Sequence, residues 1–222
     1  MNGSSRIFPV DADGVWVEIT GFPPADGPRP ALFLDRDGVI VEDTGYLRRE
    51  SDVRLIDGAS AMVARANRCR VPVVIVTNQS GIGRGLFDWA TFARVQARIV
   101  ALLANDGARI DAVIACPHHP LAAPRYAHPD APWRKPNPGM LLKAATLLPI
   151  DLEISWMVGD RAIDLLAARR AGLAGGVHVS SNDVWSGDEC RQAVALDNDH
   201  FRAIAVRSVG DVLDQVPFLR IP

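Results

Sequence analysis

Short, almost wholly apolar runs at residues 31–34, 73–76, 112–115, 154–158, 176–179 and 203–206 are separated by longer segments of mixed character. Runs of this length predict strands buried on both faces, since a half-exposed strand would alternate apolar and polar positions. Between them the period changes. Within 88–105, Phe92, Val95, Ile99 and Leu102 fall at three-four-three spacing behind Asp88, which predicts one apolar helix face and its cap. Asn137-Pro138 predicts the start of another helix, as N-cap and first-turn proline, followed by Met140, Leu141, Ala144 and Leu148. A helix is predicted over 162–171, closed by Gly172, and Ser208 to Asp211 resembles a capping box ahead of Val212 and Leu213. Strand–helix alternation predicts a three-layer α/β fold, with a mainly parallel sheet between helices.

The first thirty residues read differently. Val15-Trp16-Val17-Glu18-Ile19 has the composition of a short strand, and the Pro/Gly-rich stretch 21–30 that of a linker. Residues 1–30 are therefore expected to be an appended arm and linker, and 31–222 the main domain.

Four polar clusters lie just beyond predicted elements. Asp35-Arg36-Asp37-Gly38 ends the first apolar run, Thr77-Asn78-Gln79-Ser80-Gly81 the second, and Gly159-Asp160-Arg161 the fourth, with Asp164 one helical turn on. Arg134-Lys135-Pro136 precedes the helix expected to be capped by Asn137. Alternation along an extended chain would point Asp35 and Asp37 the same way, with Arg36 opposite. An Asp-Gly turn would produce the first cluster by itself; the other three decide against that reading. The C-terminal ends of parallel strands share one edge, so three clusters face a common crevice, which Lys135 reaches from the mouth of its helix. Such a set supports phosphoryl transfer. Asp35 and Asp160 suit Mg²⁺, which prefers a few carboxylates together with water and phosphate oxygens. Thr77 and the amides after it suit phosphoryl oxygens, and Lys135 offers a fixed positive charge. One aspartate can then attack phosphorus while its neighbour protonates the leaving alcohol.

The order Asp-x-Asp, Thr, Lys, Gly-Asp with a second Asp resembles the haloacid dehalogenase (HAD) superfamily of aspartyl-phosphate phosphatases. The resemblance implies a Rossmann-like HAD fold, with Asp35 as nucleophile and Asp37 as general acid and then base, its main-chain carbonyl also on the metal. It implies that Thr77 and Lys135 orient phosphate and nucleophile, that Asp160 completes the Mg²⁺ site with Asp35 and Asp37, and that Asp164 supports the metal ligands from behind. Asp43-Thr44-Gly45-Tyr46, Thr77 through Gly85, Cys116-Pro117-His118-His119-Pro120 and Arg134-Lys135-Pro136 are similar to the branch that holds heptose bisphosphate and histidinol-phosphate phosphatases. There Asp43, Thr44, Gly45, Tyr46, Asn78, Gln79, Ser80 and Arg134 would bind substrate. The segment between Gly85 and Arg134 leaves room only for a minimal cap made of loops. A small phosphorylated metabolite is the implied substrate, with heptose bisphosphate ahead of histidinol phosphate. A non-catalytic phosphosugar-binding protein on the same fold is the rival reading, and it would have no need for both Asp35 and Asp37.

In that branch Cys-x-His and a following Cys-x-Cys hold structural zinc. Here Cys116 and His118 are present, but Ala131-Pro132-Trp133 stands where the second pair belongs. His119, His128 and Asp130 are the remaining candidate ligands. A closed zinc site needs four. A zinc-free loop, stiffened by its prolines and packed on Trp133, is therefore expected.

The bulk properties narrow the setting. A formal net charge of −2 predicts no general affinity for nucleic acid or anionic membrane, and no apolar run approaches spanning length. The first six residues lack an apolar signal core, and the three cysteines (Cys69, Cys116 and Cys190) make no disulfide framework. A cytoplasmic, monomeric enzyme is expected. Gly81 to Gly85 lacks both the P-loop and the dinucleotide-binding spacing. His178, within a predicted strand, and His200, in a late loop, are expected to play no catalytic part.

Overall fold

The apolar runs assemble into the interior of one sheet. The computed structural model describes residues 8–21, 27–180 and 187–220 of the chain. In order the elements are β1 (Trp16–Ile19), β2 (Leu32–Leu34), α1 (Ala59–Arg68), β3 (Val73–Asn78), α2 (Ser80–Gly83), α3 (Trp89–Asn105), β4 (Ala112–Cys116), α4 (Gly139–Leu147), β5 (Trp156–Gly159), α5 (Ala162–Ala171), β6 (Gly175–Val179), α6 (Asp188–Val194), β7 (Arg202–Val206) and α7 (Val212–Gln215). The strands run in the order β1-β4-β3-β2-β5-β6-β7, every neighbouring pair parallel except β1 with β4.

The period-two geometry of a strand divides the core between two faces. Leu32, Leu34, Ile75 and Val113 point to one face, where Met62 of α1, Val95 and Ile99 of α3 and Val212 of α7 cover them. Phe33, Val74, Val76 and Met157 point to the other, against Met140 and Leu141 of α4, Leu165 of α5 and Ala193 of α6. The central strand β2 is fully buried, as a strand covered by helices on both sides must be.

Several local details depart from expectation. The strand expected over 154–158 begins at Trp156, because residues 152–154 form a 3-10 turn in which the Asp151 carboxylate accepts from Glu153 N–H. The helix expected to be capped by Asn137 starts at Gly139; the Asn137 side-chain amide donates instead to Asp130 and the Ala131 carbonyl. Asp88 does cap α3, accepting from Thr91 N–H at 2.8 Å. Ser208 and Asp211 exchange hydrogen bonds immediately before α7.

Part of the expected arm joins the sheet. β1 extends the sheet antiparallel to β4, with Trp16 opposite Ala115 and Ile19 opposite Ala112. Trp16 is 3% exposed, and its ring lies 5.1 Å from Phe92, 5.5 Å from Trp89 and 5.9 Å from Phe8. Residues 22–26 of the expected linker lie outside the described residues. No helix among the described residues is long and apolar enough to cross a membrane.

Burial of this depth makes β1 part of the folding unit. Trp16→Ala is expected to cost about 3–5 kcal/mol in urea unfolding, the range for truncating a buried aromatic ring. A loss below about 1 kcal/mol would mean that the N-terminal strand is an ornament on an independently stable sheet.

Candidate active site

The strand ends deliver the acids. β2 stops at Leu34, and Asp35 N–H still donates to the Val158 carbonyl of β5, so the Asp35 side chain leaves the sheet at its C-terminal edge. Regular alternation ends there too. Arg36 does not point away from Asp37 but folds back on it, with Nε and Nη2 on the two carboxylate oxygens at 3.1 and 3.0 Å. This buried guanidinium, 5.3 Å from the Phe92 ring centroid, grips Asp37 like a fork. Gly38 then turns the chain at φ +82°, and a Cβ there would meet Asp160 Oδ2 at 2.2 Å. Only glycine permits both the conformation and the approach of Asp160.

Lys135 lies at the foot of the pocket, 1% exposed. Its ammonium contacts Asp164 Oδ1 at 2.7 Å, the Val76 carbonyl at 2.8 Å and Asp35 Oδ1 at 2.9 Å. Its backbone is fixed as well: Asn78 Oδ1 accepts from Lys135 N–H, and Asn78 Nδ2 donates to the Lys135 carbonyl, both at 3.1 Å. Asp164 Oδ2 accepts from Arg161 N–H, so this carboxylate closes the first turn of α5 while it holds the lysine. Gln79 Nε2 donates to Asp37 Oδ2 and to Thr77 Oγ1, each at 2.9 Å, which links the ends of β2 and β3.

These residues line a cavity of about 300 Å³ with Asp43, Gly45, Tyr46, Ser80, Arg134 and Asp160. Thr44 faces a neighbouring, larger cavity across the 43–46 loop, where the Asp43 carboxylate accepts from Gly45 N–H and Arg84 Nη1 donates to Tyr46 Oη at 2.7 Å. His178 is buried in β6 and His200 is exposed near β7; neither lines this cavity.

The electrostatics are those of crowded carboxylates. Burial raises Asp35 from the usual 3.8 to about 7, with Asp164 and Asp37 adding to the rise and Lys135 opposing it. Burial, with Asp35 and Asp164 nearby, raises Asp160 to about 8. For Lys135 burial alone would lower the pKa, but Asp164 and Asp35 outweigh it, so the group stays charged. One further positive charge is called for. Asp35, Asp160 and Asp164 each place an oxygen within 4.8 Å of the others, and the buried Asp160 Oδ1 has no hydrogen-bond partner among the described residues. A hard divalent cation fits this all-oxygen set, with Asp164 already committed to Lys135 and Arg161.

The loop between β4 and α4 offers a metal much less. Cys116 Sγ lies 3.5 Å from His118 Nδ1, but among the described residues no third His, Cys or acid converges on the pair. Burial pushes the Cys116 thiol up to about 12, and burial with His128, whose ring centroid lies 6.3 Å from that of His118, lowers His118. Two converging donors fall short of the four that a closed tetrahedral zinc site needs.

With the geometry in hand, the likenesses are informative. A D-glycero-β-D-manno-heptose-1,7-bisphosphate 7-phosphatase of Mesorhizobium japonicum is 47% identical over 171 residues, 76% of this chain and 77% of that one. The chain belongs to the haloacid dehalogenase phosphatases. It is an enzyme of their hydrolytic class. A namesake from Vibrio cholerae is 38% identical over 77% of this chain and 92% of its own. The HAD-hydrolase-like family model matches residues 132–192, the stretch that carries Lys135, Asp160 and Asp164. A HAD-like phosphatase of Mesorhizobium loti superposes with a TM-score of 0.83 at 40% identity, over 97% of this chain and 99% of that one. D,D-heptose 1,7-bisphosphate phosphatase of B. bronchiseptica, in complex with magnesium and phosphate, superposes with a TM-score of 0.68 at 30% identity, over 84% and 97%.

The raised carboxylates fix a sign. Folded Asp35 and Asp160 hold protons more tightly than they do unfolded, so the metal-free fold loses stability as pH rises from about 4 towards 8. Asp160→Asn removes one of these charges. In EDTA it is expected to raise Tm at pH 8 and to raise it much less at pH 5. Equal shifts at the two pH values would contradict the repulsion.

Proposed function

We propose that this phosphatase is Mg²⁺-dependent and removes the 7-phosphate of D-glycero-D-manno-heptose 1,7-bisphosphate through an aspartyl-phosphate on Asp35. The observation that carries the chemistry is the contact of the Lys135 ammonium with Asp35 Oδ1 at 2.9 Å. Arg36 N–H also donates to Oδ1, at 2.8 Å. Among the described residues Oδ2 is therefore the oxygen without a protein partner, free to act as nucleophile. The substrate follows the names carried by the relatives.

In this reading Asp35 Oδ2 attacks phosphorus, the bond from phosphorus to the sugar oxygen breaks, and Asp37 gives the departing oxygen a proton. Asp37 then takes a proton from the water that attacks the phosphorus of the aspartyl-phosphate, releasing phosphate and restoring Asp35. Gln79 and Arg36 keep Asp37 in place between the two steps. Thr77 and the amides leading into α2 receive phosphoryl oxygens, with Ser80 and Asn78 beside them. Asp35, Asp160 and the Asp37 carbonyl would hold Mg²⁺, which supplies charge neutralisation as the phosphate dianion approaches the carboxylates. Asp43, Gly45, Tyr46 and Arg134 surround the leaving sugar, with Thr44 on the far side of the same loop, and the guanidinium suits the second phosphate.

A phosphometabolite panel with Mg²⁺ tests the reading. Heptose 1,7-bisphosphate is expected to show the highest kcat/KM, above histidinol phosphate and above a generic aryl phosphate. EDTA or Asp35→Asn should reduce turnover to background, and Asp37→Asn should lower kcat by about 10²- to 10⁴-fold. Preference for histidinol phosphate would replace the substrate, and activity retained in Asp35→Asn would end the mechanism. Tight binding without turnover on any phosphoester would identify a binding protein.

A further inference from the structure

A second cluster of charged and aromatic side chains lies away from the catalytic carboxylates, where the N-terminal residues meet the segment between β4 and α4. Residues 9–17 fold into a tight hairpin. Val17 N–H donates to the Pro9 carbonyl at 2.7 Å, and Asp11 N–H donates to the Val15 carbonyl at 2.9 Å. The Asp11 carboxylate is ordered within the turn, since its Oδ1 accepts from the N–H groups of Asp13 and Val15, each at 3.0 Å. Its other oxygen is bound by Lys143 Nζ of α4, which also reaches Asp13 Oδ2 at 3.2 Å. The same ammonium lies 4.1 Å from the ring centroid of Trp133. One cation thus joins two carboxylates of the hairpin to an indole of the loop, and its side chain is only 15% exposed. Shielding of that order strengthens both the ion pair and the cation–π contact.

The hairpin touches the loop at a second place. Gly14 turns the hairpin at φ +76° against Tyr126, and a Cβ there would lie 2.8 Å from Tyr126 Cε1. Tyr126 in turn accepts from Trp89 Nε1 at 3.3 Å and meets His118 edge-on at 5.7 Å. Between the two holds lies Arg134, next in sequence to Trp133, whose Nη1 donates to the His118 carbonyl at 3.2 Å. Nothing in the catalytic chemistry calls for Asp11, Asp13 or Lys143.

We propose that Asp11, Asp13 and Lys143 form an ionic clip that positions Arg134 for the distal part of the substrate, by pinning Trp133 from one side while Gly14 and Tyr126 brace the other. Lys143 is a positioning residue. The inference rests on the reading of Arg134 as a substrate contact.

Lys143→Met keeps the stem over Trp133 and deletes the charge; Lys143→Arg keeps both. Hydrogen exchange read by mass spectrometry follows the loop, and steady-state kinetics with heptose 1,7-bisphosphate follow the site. Lys143→Met is expected to accelerate exchange across residues 118–137 without altering the sheet. It is also expected to raise KM about five- to tenfold with kcat within about twofold, and Lys143→Arg should restore both. Unchanged exchange in Lys143→Met would overturn the clip. Faster exchange with a wild-type KM would overturn its role in positioning, even if Tm falls. Arg134→Ala, run alongside, should raise KM in the same way. An unchanged KM there would refute Arg134 as a substrate contact, and with it the purpose of the clip.

Discussion

Aspartates converge on the C-terminal edge of the parallel strands because β2 and β5 end there and α5 begins there, and one buried ammonium makes their company tolerable. Lys135 bonds to a carboxylate from β2, a carboxylate from α5 and a carbonyl from β3. Without its charge, Asp35 and Asp164 would face each other in a buried pocket, and removing one member of a buried ionic group typically costs several kcal/mol. The lysine offsets only part of the repulsion. Asp160, raised to about 8 and with one oxygen unpartnered among the described residues, retains the unmet demand for positive charge. The pocket is thus strained towards cations and phosphoryl groups before either arrives.

The surrounding architecture serves that arrangement. Asn78 clamps the backbone of Lys135, Asp164 caps α5 with the oxygen not given to the lysine, and Gly38 clears the space that Asp160 enters. Each of these residues does a structural and an electrostatic job at once. Asp37 stands slightly apart, held by the Arg36 guanidinium and the Gln79 amide rather than by the lysine.

Much of this was legible in the sequence, for identifiable reasons. The interior strands were visible because burial on both faces demands unbroken apolar runs, and the acids were visible because such runs end abruptly in them. α1 is missing from the expected elements although its signal is present, since the buried Ala59, Met62, Val63 and Ala66 recur at three-one-three spacing on one helical face. The fork of Arg36 on Asp37 was hidden because simple alternation fails once the chain leaves β2 at Leu34. The N-terminal strand was visible as a strand, but its place at the sheet edge depends on Trp16 meeting Trp89 and Phe92, some seventy residues away in the chain, a contact no local pattern encodes. Ala131 and Trp133 are plain in the sequence, but the contacts of Lys143 with Asp11 and Asp13 join three positions whose proximity only the fold reveals.

The account stands or falls on Asp35 as the atom donor to phosphorus. Borohydride added during turnover reduces an acyl phosphate to the alcohol, so peptide mass spectrometry can find the residue that carried the phosphoryl group. Conversion of Asp35 to homoserine, dependent on substrate, is the expected result. Intact Asp35 under conditions of full turnover, with the reduced residue found at Asp37 or Asp160 instead, would contradict it.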